Sequence, residues 1–277
     1  MSTTVCLTFD FDAYSLWITT LKLVSATPLS RGEYAARVGV PRVLDVLAKH
    51  GIQATFFVPG HTAEAFPTQV REIAKRGHEV AAHGYLHETP VGLSRDGENA
   101  ILARAEDVLT EVIGQKPAGY RSPAWDLSEH TIELLSERGY LYDSSLMLDD
   151  FRPHWARTGD RLHPDNRFVR GADSAVVELP VAWELDDFPY FHFVTRPVNP
   201  GLRKPSDVLE IWLGEFKYCH EHVANGVFIL TMHPEIIGRG PRVEMLSALI
   251  GEMKRRPGVT FSTMARAADA FRARTIQ

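Results

Sequence analysis

Val5-Cys6-Leu7-Thr8-Phe9 runs directly into Asp10-Phe11-Asp12. The first five residues are apolar or β-branched and read as a short buried strand. Alternation along a strand puts Asp10 and Asp12 on one side and Phe11 on the other, so two carboxylates converge where the strand emerges into solvent. Acids also end strands merely to begin a turn, so the pair gains meaning from what stands at the ends of other strands. Thr55–Val58, Glu79–Ala82 and Val227–Met232 read as strands of the same kind. Apolar residues recur three and four apart over Val38–His50, Arg95–Ile113, Ser128–Arg138, Ser206–Val223 and Val243–Arg255, which predicts helices, with Ser94, Ser128 and Ser206 as N-caps. Strands alternating with helices make an α/β chain of parallel βα units.

A chain of 277 residues with 44% hydrophobic content buries a large core without disulfides, and barrels of βα units commonly run to about this length as one domain. One catalytic domain over 1–277 is therefore expected. Phe151–Pro200 breaks the rhythm, with six of the 17 prolines and one convincing strand, Ala175–Leu179. It is expected to be a long loop excursion over the barrel mouth. Cys6 and Cys219 are far apart in apolar segments and read as reduced, buried hydrophobes. Net charge is −5 with both signs interspersed, which excludes a large nucleic-acid-binding face and a polybasic membrane anchor. Met1–Thr4 carries no positive n-region and the apolar run behind it is too short for a signal peptide or a membrane span, so a cytoplasmic protein is expected.

Chemistry concentrates where predicted strands end. His83-Gly84-Tyr85-Leu86-His87-Glu88 follows Glu79–Ala82. A separation of four puts both imidazoles on one side of a helical turn, and neutral imidazole suits zinc and related divalent metals. Further on stand Gly119-Tyr120-Arg121-Ser122-Pro123-Ala124-Trp125, Tyr142-Asp143-Ser144-Ser145 and Leu230-Thr231-Met232-His233-Pro234. In a β/α barrel the carboxyl ends of the strands open on one face, so these separate placements converge on one mouth.

In this order the motifs resemble the polysaccharide deacetylase family, the NodB-type deacetylases of carbohydrate esterase family four, from Thr8 to about Pro234. The resemblance implies a distorted, TIM-like (β/α) barrel holding one metal ion. It implies Asp10 as base, Asp12, His83 and His87 as metal ligands, Arg121 as the arginine that orients the base, and His233 as the histidine acid. Two departures stand out. Most members have adjacent acids in Thr-Phe-Asp-Asp-Gly, whereas Phe11 separates them here, and the usual Arg-Pro-Pro-Tyr becomes Arg121-Ser122-Pro123-Ala124. The chain looks instead like a subgroup with allantoinase-like and cyclic-imide-hydrolysing members, which share His-Gly-aromatic-x-His and a segment like Val177 to Tyr190.

An uncharged amide needs its carbonyl polarised, a hydroxide generated near neutral pH and its departing nitrogen protonated. A divalent metal, most simply zinc, on two imidazoles and one carboxylate serves the first two tasks. Asp10, held ionised by Arg121, takes the water proton, and His233 protonates the nitrogen. The backbone N–H of Ala124, in the place of the family's tyrosine, is a candidate oxyanion donor. Asp143 either orients His233 or makes a turn with Ser144 and Ser145. Ala124, Trp125, Asp187 and Tyr190 are candidate substrate contacts, with Asp187, Phe188 and Tyr190 alternatively covering an oligomer partner. His61, His78, His130, His220 and His222 read as surface or capping residues, and Trp212, Leu213 and Phe216 as helix core. The expected activity is hydrolysis of a small cytosolic amide or cyclic imide, a small-molecule substrate. The alternatives are N-deacetylation of an N-acetylated sugar polymer and non-catalytic binding on the same scaffold. Subgroup resemblance implies a homo-oligomer, a tetramer being the suggested form.

Overall fold

The computed structural model describes residues 2–196 and 198–275; residue 197, inside the expected excursion, lies outside them, as do the two chain ends. A nine-stranded sheet runs in the order Gly226–Met232, Thr3–Asp10, Thr55–Val58, Glu79–Ala82, Gly119–Tyr120, Tyr142–Asp143, Ala172–Glu178, His154–Thr158, and Val259–Phe261 pairs with the start of Thr3–Asp10. Every pairing is parallel except that of His154–Thr158 with Ala172–Glu178. The parallel strands are covered on both faces, as such sheets must be, and Thr55–Val58 and Gly226–Met232 are buried throughout. The sheet curls into a (β/α) barrel that closes on a single parallel bridge between Asp186 and Thr231. That seam carries one backbone bond, Asp187 N–H to the Thr231 carbonyl at 3.1 Å.

Local sequence sets many of these boundaries. Thr55–Val58, Glu79–Ala82 and Arg95–Ile113 span the residues their patterns predict. Ser94 caps the last of these by accepting the Gly97 N–H at 3.2 Å, and Gly114, at φ 77°, ends it in the left-handed conformation glycine favours. Two expected caps move. The helix Thr131–Glu137 starts after Ser128, whose hydroxyl accepts the His130 N–H, and Pro205 in the first turn places the cap of Pro205–His222 at Lys204 rather than Ser206. Gly119 is required by packing, because a Cβ there would sit 1.9 Å from the Tyr142 ring on the neighbouring strand. Cys6 and Cys219 are free and buried. Among the described residues no helix is long and apolar enough to cross a membrane.

The excursion differs from its expectation. His154–Thr158 pairs antiparallel with Ala172–Glu178, Trp155 opposite Val177, so the first half extends the sheet edge instead of covering the mouth. A small hairpin, Arg161–Leu162 with Phe168–Val169, caps that extension. Of its described residues, only those from Trp183 to Phe188 line the cavity at the barrel mouth. His78 is likewise not a surface residue: it is buried, accepts the Ala54 N–H at 3.2 Å, and burial lowers its pKa to about 4.

Asp143 and Glu178 are register partners on adjacent strands and are both fully buried. Burial raises both, Asp143 to about 6 and Glu178 well above the usual carboxyl range, and the neighbouring Asp143 pushes Glu178 up further. Asp143 Oδ2 and Glu178 Oε2 lack any other partner, so one proton held between them is the physical solution. The pair binds that proton more tightly folded than unfolded. Its stabilising contribution is therefore complete below the ordinary carboxyl pKa and lost as pH rises through the raised values. Glu178→Gln keeps an acceptor for the Ser145 and Leu146 N–H groups and offers Asp143 a neutral donor. Its melting temperature should therefore fall less than that of the wild type between about pH 5 and about pH 8, by the equivalent of roughly 1 kcal/mol. Parallel curves for the two proteins would exclude a shared proton.

Candidate active site

The carboxyl ends of the parallel strands bring Asp10, Asp12, His83, His87, Arg121 and His233 together, all of them buried. Arg121, fully buried, donates from Nη1 to Asp10 Oδ1 at 2.7 Å and to Thr8 Oγ1 at 2.9 Å. Its Nε and Nη2 reach the Ser144 carbonyl and hydroxyl at 3.1 and 3.0 Å, and its guanidinium lies over the Phe57 ring. Asp10 is thus held by a cation at one oxygen, while the other stands 4.0 Å from His83 Nε2.

Asp12 is the anomaly. Both of its oxygens are buried and neither has a hydrogen-bond partner. Facing them are the Nε2 atoms of His83 at 3.5 Å and of His87 at 3.6 Å. The opposite edge of each ring is engaged: His83 Nδ1 contacts the Arg121 carbonyl at 2.7 Å, and His87 Nδ1 the Thr20 hydroxyl at 2.6 Å. A carbonyl only accepts, so His83 Nδ1 donates and Nε2 carries the lone pair. The hydroxyl of Thr20 also lies 3.5 Å from the His87 carbonyl, an acceptor for its own proton, which leaves the ring to donate to Thr20 in the same way. Burial lowers His83 to about 4 and His87 well below its ordinary value, so both are neutral near pH 7. Two neutral imidazole nitrogens beside a carboxylate whose lone pairs are otherwise unmet form a donor set that fits a divalent cation. Asp186, Asp187 and His233 also cluster closely enough to hold an ion. There the His233 Nδ1 is already bonded to Asp187, so that set is a hydrogen-bond network.

The two histidines do not share a helical turn, as their spacing suggested. Gly84 and His87 have φ of 67° and 60°, and the chain between them is a tight irregular turn that sets the rings 81° apart with centroids 5.0 Å apart. Ala124 and Trp125 are also left-handed, at φ 56° and 57°. Non-glycine residues in this region cost of order 1 kcal/mol or more each and persist where the surroundings fix them.

His233 donates from Nδ1 to Asp187 Oδ1 at 2.7 Å, and its backbone N–H meets the same carboxylate at 3.0–3.1 Å. Burial alone would lower His233, but the bond to Asp187 and the charges of Asp187, Asp186 and Asp12 raise it well above its ordinary value. Its Nε2 points into the site, 3.9 Å from Asp12. The orienting carboxylate is therefore Asp187 and not Asp143. Asp143 accepts from the Ser145 hydroxyl at 2.8 Å, which in turn accepts the Ser122 N–H at 2.9 Å, so it braces the Arg121 loop from behind.

A cavity of about 170 Å³ opens over these groups. Ala124 and Trp125 line it as expected, together with Leu16, Leu21, Trp183 and Phe188. The Trp125 and Trp183 rings lie 4.4 Å apart and form one wall. Tyr190 is not in this lining; its hydroxyl meets the Glu184 carbonyl at 3.3 Å and its ring packs on the core. Two contributors escaped the sequence reading. Asp186, which burial raises to about 7, lies 3.7 Å from His233 and is signalled only by standing beside Asp187. Thr20 sits in a helical turn with no local mark of its role.

The chain belongs to the polysaccharide deacetylase family, the NodB-type enzymes of carbohydrate esterase family four: residues 2–142 match the family described as polysaccharide deacetylase. It is accordingly a hydrolase of carbon–nitrogen bonds in amides other than peptides. A peptidoglycan deacetylase of Helicobacter pylori is 34% identical over 274 residues, covering 95% of this chain and 94% of that protein. A solved structure from Mycobacterium smegmatis, described as a polysaccharide deacetylase, is 38% identical with a TM-score of 0.89 over 99% of this chain and 91% of that one. The fold alone is shared with PuuE allantoinase, 22% identical with a TM-score of 0.80 over 98% of this chain and 90% of that one.

The donor set predicts one divalent ion per chain by elemental analysis of the purified protein. His83→Ala should lose it. Thr20→Val, which removes only the partner of His87 Nδ1, should weaken metal affinity by about tenfold or more. Wild-type affinity in Thr20→Val would show that its hydroxyl does not orient His87.

Proposed function

We propose that the chain removes the acetyl group from an N-acetylated amino sugar, using zinc held by Asp12, His83 and His87. The observation that carries the chemistry is the bare, buried carboxylate of Asp12 facing two neutral imidazoles, beside an Asp10 fixed by Arg121. Similarity along nearly the whole chain to a protein named peptidoglycan deacetylase supports the sugar amide, and favours it over the small cytosolic amide expected from the sequence.

When bound, the metal supplies a Lewis acid that polarises the amide carbonyl and lowers the pKa of water. Asp10 has one oxygen committed to Arg121 and the other directed towards the His83 side of the site, so it is placed to accept a proton from water. Arg121 keeps that carboxylate aimed. His233, held as the imidazolium by Asp187, presents Nε2 to the opposite side and delivers a proton to the departing nitrogen. Trp125 and Trp183 hold the acyl arm and keep bulk water out.

A second reading has one observation in its favour. The cavity of about 170 Å³ accommodates an acetamido arm or a compact ring, and its tryptophan wall suits a flat cyclic amide. Assay of zinc-loaded protein on N-acetylglucosamine oligomers of increasing length, beside succinimide, hydantoin and allantoin, separates the two. Acetate release that rises with oligomer length is expected; turnover confined to the rings would establish the second reading instead. In either case Asp10→Asn should retain metal and lose turnover by a hundredfold or more, on the order expected for a general base. A metal-replete Asp10→Asn of normal activity would remove Asp10 from the chemistry.

A further inference from the structure

Phe188, on the wall of the catalytic cavity, stacks on His192 with ring centroids 4.1 Å apart. Behind His192 lies a second and larger cavity of about 510 Å³. Four guanidinium groups line it, those of Arg31, Arg203, Arg239 and Arg242, in a chain whose net charge is −5. Neutral contacts hold three of them. Arg31 donates to the Phe193 carbonyl and lies over Trp17, Arg239 donates to the Glu235 carbonyl and lies over Tyr34, and Arg242 donates to the Ile236 carbonyl and lies over Phe191. Glu235 near Arg31 and Asp187 near Arg242 offset part of this charge, and among the described residues none of the three stands in a direct ion pair.

Two further features point to a ligand. His192 is fully buried with neither ring nitrogen partnered, and Glu235, 4% exposed, has both carboxyl oxygens unpartnered; both residues border the cavity, with those atoms just beneath its surface. The long helices Pro205–His222 and Gly240–Lys254 also begin there, with Pro205 and Pro241 in the wall, so the positive ends of two helix dipoles face the cavity.

We propose that this cavity binds a small oxyanion, a phosphate or carboxylate group, at a site separate from that of the amide substrate. Planar guanidiniums match both chemistries through paired N–H donors. Burial, with the repulsion of neighbouring arginines, lowers Arg31 and Arg242, a penalty that an anion relieves. Burial pushes Glu235 up to about 7, which lessens the negative charge beneath the cavity. Arg203 and Arg239 are exposed and mark the opening to solvent.

Calorimetric titration of the metal-loaded protein with inorganic phosphate, and separately with succinate, at fixed low ionic strength tests this. Saturable binding of one anion per chain is expected from at least one of the two, and which one binds identifies the chemistry. Arg242→Gln should weaken it by about tenfold or more, the effect of losing charge-assisted hydrogen bonds. Arg203→Gln, which removes an exposed guanidinium and no internal contact, should weaken it in the same direction without touching the fold. Arg274→Gln, on the last helix, should leave it unchanged. Absence of saturable binding overturns the proposal. So does binding that both cavity variants retain, which would place the anion on the metal, and so does equal loss in Arg274→Gln, which would reduce it to general charge attraction. The readout is binding and not turnover, so a negative result leaves the amide-hydrolase reading intact.

Discussion

One buried guanidinium organises the mouth of this barrel. Arg121 ties Thr8 and Asp10 at the end of one strand to Ser144 beyond another, and its own carbonyl receives His83 Nδ1. The base, one metal-capable histidine and two strand ends therefore share a single reference point. A fully buried cation is tolerable because its donors reach a carboxylate, two hydroxyls and a carbonyl and its face lies on Phe57. Removing either partner of such a pair typically costs about 3–5 kcal/mol, because the other is left charged and unmet. Stability and base orientation are thus the same interaction.

Around that point the backbone is strained where function gathers. His87, Ala124 and Trp125 all sit at positive φ without being glycine. Each is held from outside: His87 by Thr20, the Ala124 turn by the Trp125 N–H bond to Ser122, and Trp125 by its contact with Trp183. The geometry is fixed before substrate arrives, and the entropy of ordering has already been met in folding.

Regular repeats made much of the fold legible. The four-residue strands and the long helix Arg95–Ile113 announce themselves because burial on both faces, or on one stripe, imposes a periodicity. Gly119–Tyr120 and Tyr142–Asp143 have two residues each and no period, so only the polar residues behind them marked their place. His154–Thr158 was hidden for another reason: an edge strand with mixed residues, paired antiparallel, carries no run of apolar positions. Within the site, the separation of His83 and His87 pointed to converging rings, yet the turn that achieves it depends on positive φ at Gly84 and His87, which no count of residues reveals. The partner of His233 was illegible in principle. Asp143 and Asp187 both lie upstream at sequence distances that decide nothing, and the choice falls to Asp187 because the chain returns to the sheet beside Thr231.

That return also divides the catalytic apparatus in two. Asp10, Asp12, His83, His87 and Arg121 stand on the chain before Tyr142, at the ends of strands within one unbroken parallel run. His233 follows Gly226–Met232, the strand paired along its length with Thr3–Asp10, whereas Asp187 and Trp183 stand on the segment that meets that strand across a seam of one bridge. The segment Trp183 to Phe188 can therefore change length or shape while the ion-holding half keeps its frame. Within one architecture, the fit to different amides becomes adjustable independently of the machinery that activates water.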